Sequence, residues 1–272
     1  MKHNFNYKND GPLNRYFADG ANDDVVNNPK SLYVLDLFSG TGSCSKIAHE
    51  RGHAILSYDS SPTSSEIKKG THNIVDILNP DLRLDGCSLL WASPPCQKFS
   101  VASIGKYWTK PIKCYFGEAP QPKTEEVEHH LHMLERTIEH ISIMYSMVRE
   151  SEFYWIIENP RGMMRKVIEP IFKDYSIHDF TRHTIAYCQY GDKYRRQKPT
   201  DLWTNIPKRV WTPRPMCKPI RKDRPETLKQ NCHDPAPRGS ATGTQGVKGN
   251  RERSTIPRDL FVEIFEAIEG RI

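Results

Sequence analysis

Leu32-Tyr33-Val34-Leu35-Asp36-Leu37-Phe38 is apolar but for one acid, and it runs directly into Ser39-Gly40-Thr41-Gly42-Ser43. Residues 44–51 then carry a helix-compatible pattern, so the spacing predicts strand, glycine turn, helix. Few chains can accommodate that order without a sheet covered by helices. Further strands are expected at 53–58, 74–77, 87–92, 153–157 and 180–188, with a short one at 201–204. A long amphipathic helix is expected over 124–150, with Thr124 as its cap and acids in the first turn. Another helix is expected from 161 to 172, and a closing one follows Pro257 through Leu260, Val262, Ile264, Phe265 and Ile268. Strands alternating with helices indicate an α/β fold with a mostly parallel, doubly wound sheet. No internal repeat is found.

The periphery is polar. Residues 1–30 are rich in Asn and Asp without a period and read as a flexible N-terminal arm. Residues 206–253 are crowded with Pro, Gly and basic side chains and read as irregular. Basic residues recur from Lys193 onward (Arg195, Arg196, Lys198, Lys208, Arg209, Arg214), which suits phosphates, or else a solvated surface. A net charge of +6 permits a polyanionic partner without demanding one. Seven scattered cysteines and an N-terminus without an apolar signal core point to a reduced, cytoplasmic protein. No apolar run approaches the ~20 residues of a membrane span.

Two glycines where a strand meets a helix let the backbone approach a ligand closely. The turn lacks the third glycine of a dinucleotide fingerprint and the Lys-Ser/Thr of a P-loop, so neither a dinucleotide nor a triphosphate is favoured. Asp59 ends the second strand, where a carboxylate can accept ribose hydroxyls, and Asp76 beside Ile77 can receive an adenine amino group. Together these fit a nucleoside with no demand for phosphate binding, which suits S-adenosyl-L-methionine. Ser93-Pro94-Pro95-Cys96-Gln97 follows the strand at 87–92. Two prolines stop a strand and hold the next side chain at a set angle, so Cys96 is a candidate nucleophile. Taken alone, it reads equally as a small packing residue.

The glycine turn, Asp76-Ile77, Pro94-Pro95-Cys96-Gln97 and Glu158-Asn159 occur in an order and at separations that resemble the cytosine-5 DNA methyltransferase family, over about residues 32–205. The resemblance implies a class I methyltransferase (Rossmann-like) fold with a short recognition region. It implies transfer of a methyl group from S-adenosyl-L-methionine to carbon 5 of cytosine through a covalent cysteine adduct. Carried over, Cys96 is the nucleophile and Glu158 contacts the base. Tyr190-Gly191-Asp192-Lys193-Tyr194-Arg195-Arg196 resembles more loosely a later arginine motif, which places Arg196 near the active centre. The expected donor site is Asp36, Phe38, Ser39, Gly40, Thr41, Gly42, Asp59, Asp76, Ile77 and Pro94. Gln97, Ser100, Lys106, Arg195 and Lys198 are expected on nucleic acid. The expected partner is double-stranded DNA with a flipped cytosine, bound by a monomer, in DNA methylation of the restriction-modification kind. The loop 99–123, with its aromatics and lysines, is expected to fill the gap that flipping leaves.

The chain departs from the family in three places. Pro160 stands where valine is usual after Glu-Asn, Asp59 stands where glutamate is common, and the recognition region, 206–253, is short. The expected division is therefore an arm (1–30), a catalytic domain (31–205), a basic recognition region (206–253) and a closing helix (254–272). Ser93-Pro94-Pro95 also begins the catalytic tetrapeptide of amino methyltransferases acting on N4 of cytosine or N6 of adenine, although an aromatic follows there. An RNA substrate and a catalytically silent nucleic-acid-binding member are the remaining alternatives. Cys217, Cys232 and His233, with Cys188, are of zinc-ligand type. Their spacing is not a known finger pattern, and loop thiols without metal are expected.

Overall fold

The computed structural model describes residues 31–59, 86–101, 104–109, 120–147, 153–217, 233 and 247–270. The expected strand at 74–77 and the expected arm lie outside them.

Apolar runs become six strands: β1 (Tyr33–Leu37), β2 (Ala54–Tyr58), β3 (Leu89–Ala92), β4 (Tyr154–Pro160), β5 (Thr181–Ala186) and β6 (Pro199–Thr204). Their order across the sheet is β2-β1-β3-β4-β6-β5. The first four are parallel neighbours, with Leu35 level with Leu90 and Leu90 level with Trp155. β6 runs antiparallel to both β4 and β5. The sequence pattern predicts a mostly parallel sheet, and the hairpin is the departure from it.

Helices cover both faces: α1 (Ser43–Glu50), α2 (Ile104–Tyr107), α3 (Glu125–Met147), α4 (Met164–Asp174), α5 (Asn250–Ser254) and α6 (Arg258–Glu269). Side chains alternate along a strand, so β1 sends Leu35 and Leu37 to one core and Val34 to the other. The first core is closed by α3 and α4 through Leu134, Ile138, Ile141, Ile168 and Phe172. The second is closed by α1 and α6 through Ile47, Leu260, Phe261, Ile264 and Phe265. None of the described helices is long and apolar enough to cross a membrane.

Three expectations change here. Phe99 and Trp108, expected in a lid over the substrate, are fully buried, and the Trp108 indole donates to the Lys98 carbonyl at 2.7 Å. Ile206 and Trp211, expected in irregular chain, pack into the second core, where the Trp211 indole donates to Glu263. The end of the same region forms α5.

Candidate active site

The carboxyl ends of β1, β3 and β4 open into one cavity of about 830 Å³, at the point where the strand order reverses between β1 and β3. Ligands in open α/β sheets bind at such a reversal. The size is that of a small-molecule site.

At one end is the glycine turn. Phe38 sits at φ 58°, Gly40 at 49° and Gly42 at 65°, three left-handed residues in succession around Ser39 and Thr41. Non-glycine residues rarely adopt that region, and such outliers gather at ligand sites. The Asp59 carboxylate accepts the Gly40 N–H at 2.8 Å, and Ser39 N–H reaches the Tyr58 carbonyl, so β2 pins the turn. Asp36 is buried and accepts both the Ser45 backbone N–H (3.2 Å) and the Ser45 hydroxyl (2.5 Å). Asp36, Phe38, Ser39, Gly40, Thr41, Asp59 and Pro94 all line the cavity. Gly42 caps α1 just behind them. Asp76 and Ile77 lie outside the described residues.

At the other end stand Cys96 and Glu158. Pro95 leads into a 3-10 turn, Cys96–Lys98, whose first carbonyl accepts the N–H groups of Phe99 and Ser100. Asn159 donates to the Pro94 carbonyl at 2.8 Å, tying β4 to the loop that carries the cysteine. Gly162 fixes the loop's far side: a Cβ there would lie 2.1 Å from the Phe99 carbonyl oxygen, which instead accepts the Met163 N–H at 2.7 Å. The two motifs of the sequence are thus one hydrogen-bonded unit.

Glu158 is buried, and burial pushes its carboxyl above the usual range against the opposing pull of Lys198. The Tyr187 hydroxyl donates to it at 3.0 Å. Ser93 also hydrogen-bonds it, while accepting the Trp91 indole N–H at 2.8 Å. Ser93, just before the proline pair, therefore serves the glutamate. Burial likewise raises the Cys96 thiol; Lys198 and Arg253 lower it, and Glu158 raises it further. Burial pushes Lys198 down and the two acids hold it up. Its ammonium donates to the Arg253 carbonyl at 2.8 Å.

The two basic candidates exchange places. Arg196 is fully buried and does not line the cavity. Its guanidinium donates to both Asp192 carboxylate oxygens and to the carbonyls of Glu252, Arg253 and Thr255. All five of its N–H groups are used, so it holds α5 in place and has no donor left for a base. Lys198, expected on phosphate, instead faces Cys96 and Glu158 in the cavity. Arg195, at φ 50°, does not line the cavity either. Gln97, Ser100 and Lys106 do, with Gln97 exposed. Sequence reasoning missed Arg253, Asn250, Ser254 and Arg161, all on the cavity wall. Arg161 directly follows Glu158-Asn159-Pro160 and was findable; the other three have no sequence signal.

The strand order and the antiparallel β6 inserted beside β4 define a class I methyltransferase fold, here with its cavity closed by a thiol and a buried carboxyl. No family model matches the chain. It is similar to the probable DNA (cytosine-5)-methyltransferase of Frog virus 3 (isolate Goorha), 29% identical over 185 residues that cover 64% of this chain and 71% of that one. Among solved structures it is similar to the S. pombe Dnmt2 methyltransferase, with 15% identity over 65% of this chain and 51% of that one and a TM-score of 0.39. It is also similar to the Entamoeba histolytica methyltransferase EhMeth, with 14% identity over 69% and 57% and a TM-score of 0.43. The chain thus spans little more than half the length of these two solved structures.

Proposed function

We propose that this chain methylates carbon 5 of cytosine in DNA, with Cys96 as nucleophile and S-adenosyl-L-methionine as donor. The observation that carries the reading is the joint placement of a thiol and a buried carboxyl in one cavity with the glycine turn. The Frog virus 3 relative, named as a probable enzyme of this kind, supports it.

The residues present suit the donor. A strained, glycine-opened turn exposes backbone to a nucleoside, Asp59 and Asp36 supply carboxylates, and Phe38 supplies an apolar face. The donor supplies an electrophilic methyl group on a sulfonium. Carbon 5 of cytosine is a poor nucleophile, and the Cys96 thiolate corrects this by bonding to carbon 6, which moves electron density toward carbon 5 and N3. Only thiolate reacts, and Lys198 with Arg253 favours it. Burial pushes the Glu158 carboxyl upward, which favours its protonated form, so Glu158 protonates N3 as the sulfur adds. After methylation Glu158 recovers its proton from N3, the carbon 5 proton passes to solvent, its bonding pair forms the carbon 5–carbon 6 double bond, and the carbon–sulfur bond breaks to release Cys96 as thiolate.

Gln97, Ser100 and Lys106, at the cavity wall beside the cysteine turn, contact the DNA strand from which the cytosine is flipped. The test is transfer of labelled methyl from S-adenosyl-L-methionine to DNA, with covalent trapping on 5-fluorocytosine. The wild type is expected to transfer and trap, and Cys96→Ser to do neither. A product identified as N4-methylcytosine or N6-methyladenine, or trapping that survives Cys96→Ser, would overturn the reading.

A further inference from the structure

Away from the cavity, three residues distant in sequence converge. Cys188 lies in the 3-10 turn Tyr187–Tyr190 after β5, Cys217 ends the described part of the loop after β6, and His233 comes from the region beyond. Their ligand atoms, two Sγ and one imidazole nitrogen, all lie within 4.8 Å of one another. Cys217 is buried and the other two are half-buried. The sequence offered Cys217, Cys232 and His233, with Cys188, as ligand types without a recognised spacing. The fold brings Cys188, Cys217 and His233 together, while Cys232 lies outside the described residues.

We propose that Cys188, Cys217 and His233 bind one Zn²⁺ that fastens the region 206–253 to the wall of the active site. The distances favour a metal. Zinc–sulfur bonds of about 2.3 Å and zinc–nitrogen bonds of about 2.0–2.1 Å, opened at the tetrahedral angle, set sulfur and nitrogen about 3.6 Å apart. Cys217 Sγ and His233 Nδ1 are 3.6 Å apart. Two sulfurs on one zinc would lie about 3.8 Å apart, so Cys188 needs to close by at most about an ångström. The donors suit the ion in type and charge: two thiolates and a neutral imidazole cancel the charge of Zn²⁺, and soft sulfur disfavours Mg²⁺ or Ca²⁺. Two thiols on separate segments and a histidine fill three corners of the tetrahedron, and a donor outside the trio fills the fourth.

The site also has the supporting contact expected around a ligand. Gln197 donates its amide N–H to Cys217 Sγ at 3.3 Å, and Gln197 lines the catalytic cavity beside Lys198. Cys188 directly follows Tyr187, whose hydroxyl holds Glu158. A metal here therefore sets one wall of the cavity from behind, without touching substrate. Apolar residues are scarce in the sequence after Trp211, and a segment with few of them gains from a metal clamp.

Metal analysis of the full chain, purified without chelator, tests this apart from any methyl transfer. About one zinc per chain is expected, falling below about a tenth in the double variant Cys188→Ser/Cys217→Ser and unchanged in Cys96→Ser. X-ray absorption is expected to give two or three sulfurs and at least one imidazole around the metal. Because the double variant can misfold, the wild type is also stripped with chelator and titrated with Co²⁺. Thiolate-to-cobalt charge transfer with strong tetrahedral visible bands is expected. A wild type that takes up neither ion, zinc retained in full by the double variant, or a native mass lighter by two hydrogens from a Cys188–Cys217 disulfide would each overturn the proposal.

Discussion

Cys96 differs from its neighbours in what surrounds it. Cys87 is buried among apolar side chains, which pushes its thiol up to about 12, and Cys44 is raised further by burial and Asp36. Both are inert at neutral pH. Cys96 is also raised by burial, but Lys198 and Arg253 act against it, so its ionisation rests on residues that a substitution can reach. Lys198→Met removes the larger opposing charge and is expected to move the alkaline rise of both methyl transfer and Cys96 alkylation to higher pH. At a fixed neutral pH, alkylation slows about tenfold for each unit of that movement. Iodoacetamide labelling followed by peptide mass spectrometry reads it, and an unmoved profile would mean that Lys198 acts elsewhere. Glu158→Gln keeps the shape and loses the transferable proton; transfer is expected to fall by about 10²–10⁴ with donor binding retained, which calorimetry and labelled-methyl assays separate. Cys96 and Glu158 were legible in the sequence because Pro94-Pro95-Cys96-Gln97 and Glu158-Asn159 resemble, in order and separation, two motifs of a known family; the prolines alone left Cys96 equally a packing residue. Arg196 and Lys198 were not. Arg195, just before the arginine, and Lys198 itself adopt positive φ, and along that local path the arginine turns inward to Asp192 and the lysine into the cavity. Residue type does not encode it.

At the level of elements, the strands β1 to β3 were readable to within a residue or two as apolar runs, while β4 runs three residues past its apolar run, through Glu158 to Pro160. The loop after Cys96 was not. Its aromatics suggested a lid, yet Phe99 and Trp108 have no periodicity that could reveal a core role, and they are buried where the loop docks on Gly162 and bridges to Pro122. That docking is testable. Gly162→Ala drives a methyl group into the Phe99 carbonyl, so backbone must move on one side or the other. The expected cost is about 1–3 kcal/mol of stability by thermal unfolding. Transfer is expected to fall further than that loss of folded protein explains, because the same loop aims Cys96. An alanine variant with native activity would show that the docking does not position the thiol. The end of the region 206–253 has the same lesson. The terminal carbonyls of Asn250–Ser254 accept donors from Arg196 and Lys198, a partnership more than fifty residues apart in sequence.

Across the whole molecule, the two cores differ in how they tolerate acid. The core under α1 and α6 is clamped at its edge, where Arg51 and His53 both reach Glu269, the first at 2.7 Å and the second at 2.8 Å. The core under α3 and α4 contains His140, which is buried, has its Nδ1 without a partner among the described residues, and is pushed down to about 4 by burial and by Arg136. In the unfolded chain the same imidazole titrates near 6.5, as any exposed histidine does (~6.5). As pH falls below that value the unfolded state takes up a proton that the folded state refuses, so stability drops from about pH 6.5 until the folded group itself titrates at about 4. Integrated over that window, His140 alone removes about 3 kcal/mol. His53, lowered by burial, acts in the same direction, whereas Glu158, raised by burial, offsets part of the loss. His140→Leu keeps nearly the same volume and deletes the titration, so the difference between variant and wild type isolates this one group. Denaturant unfolding is expected to give a difference that is flat above pH 7 and moves in the variant's favour by about 3 kcal/mol between pH 6.5 and 4. A difference that stays flat throughout would place the acid sensitivity at the Glu269 clamp instead, in the range where carboxylates titrate.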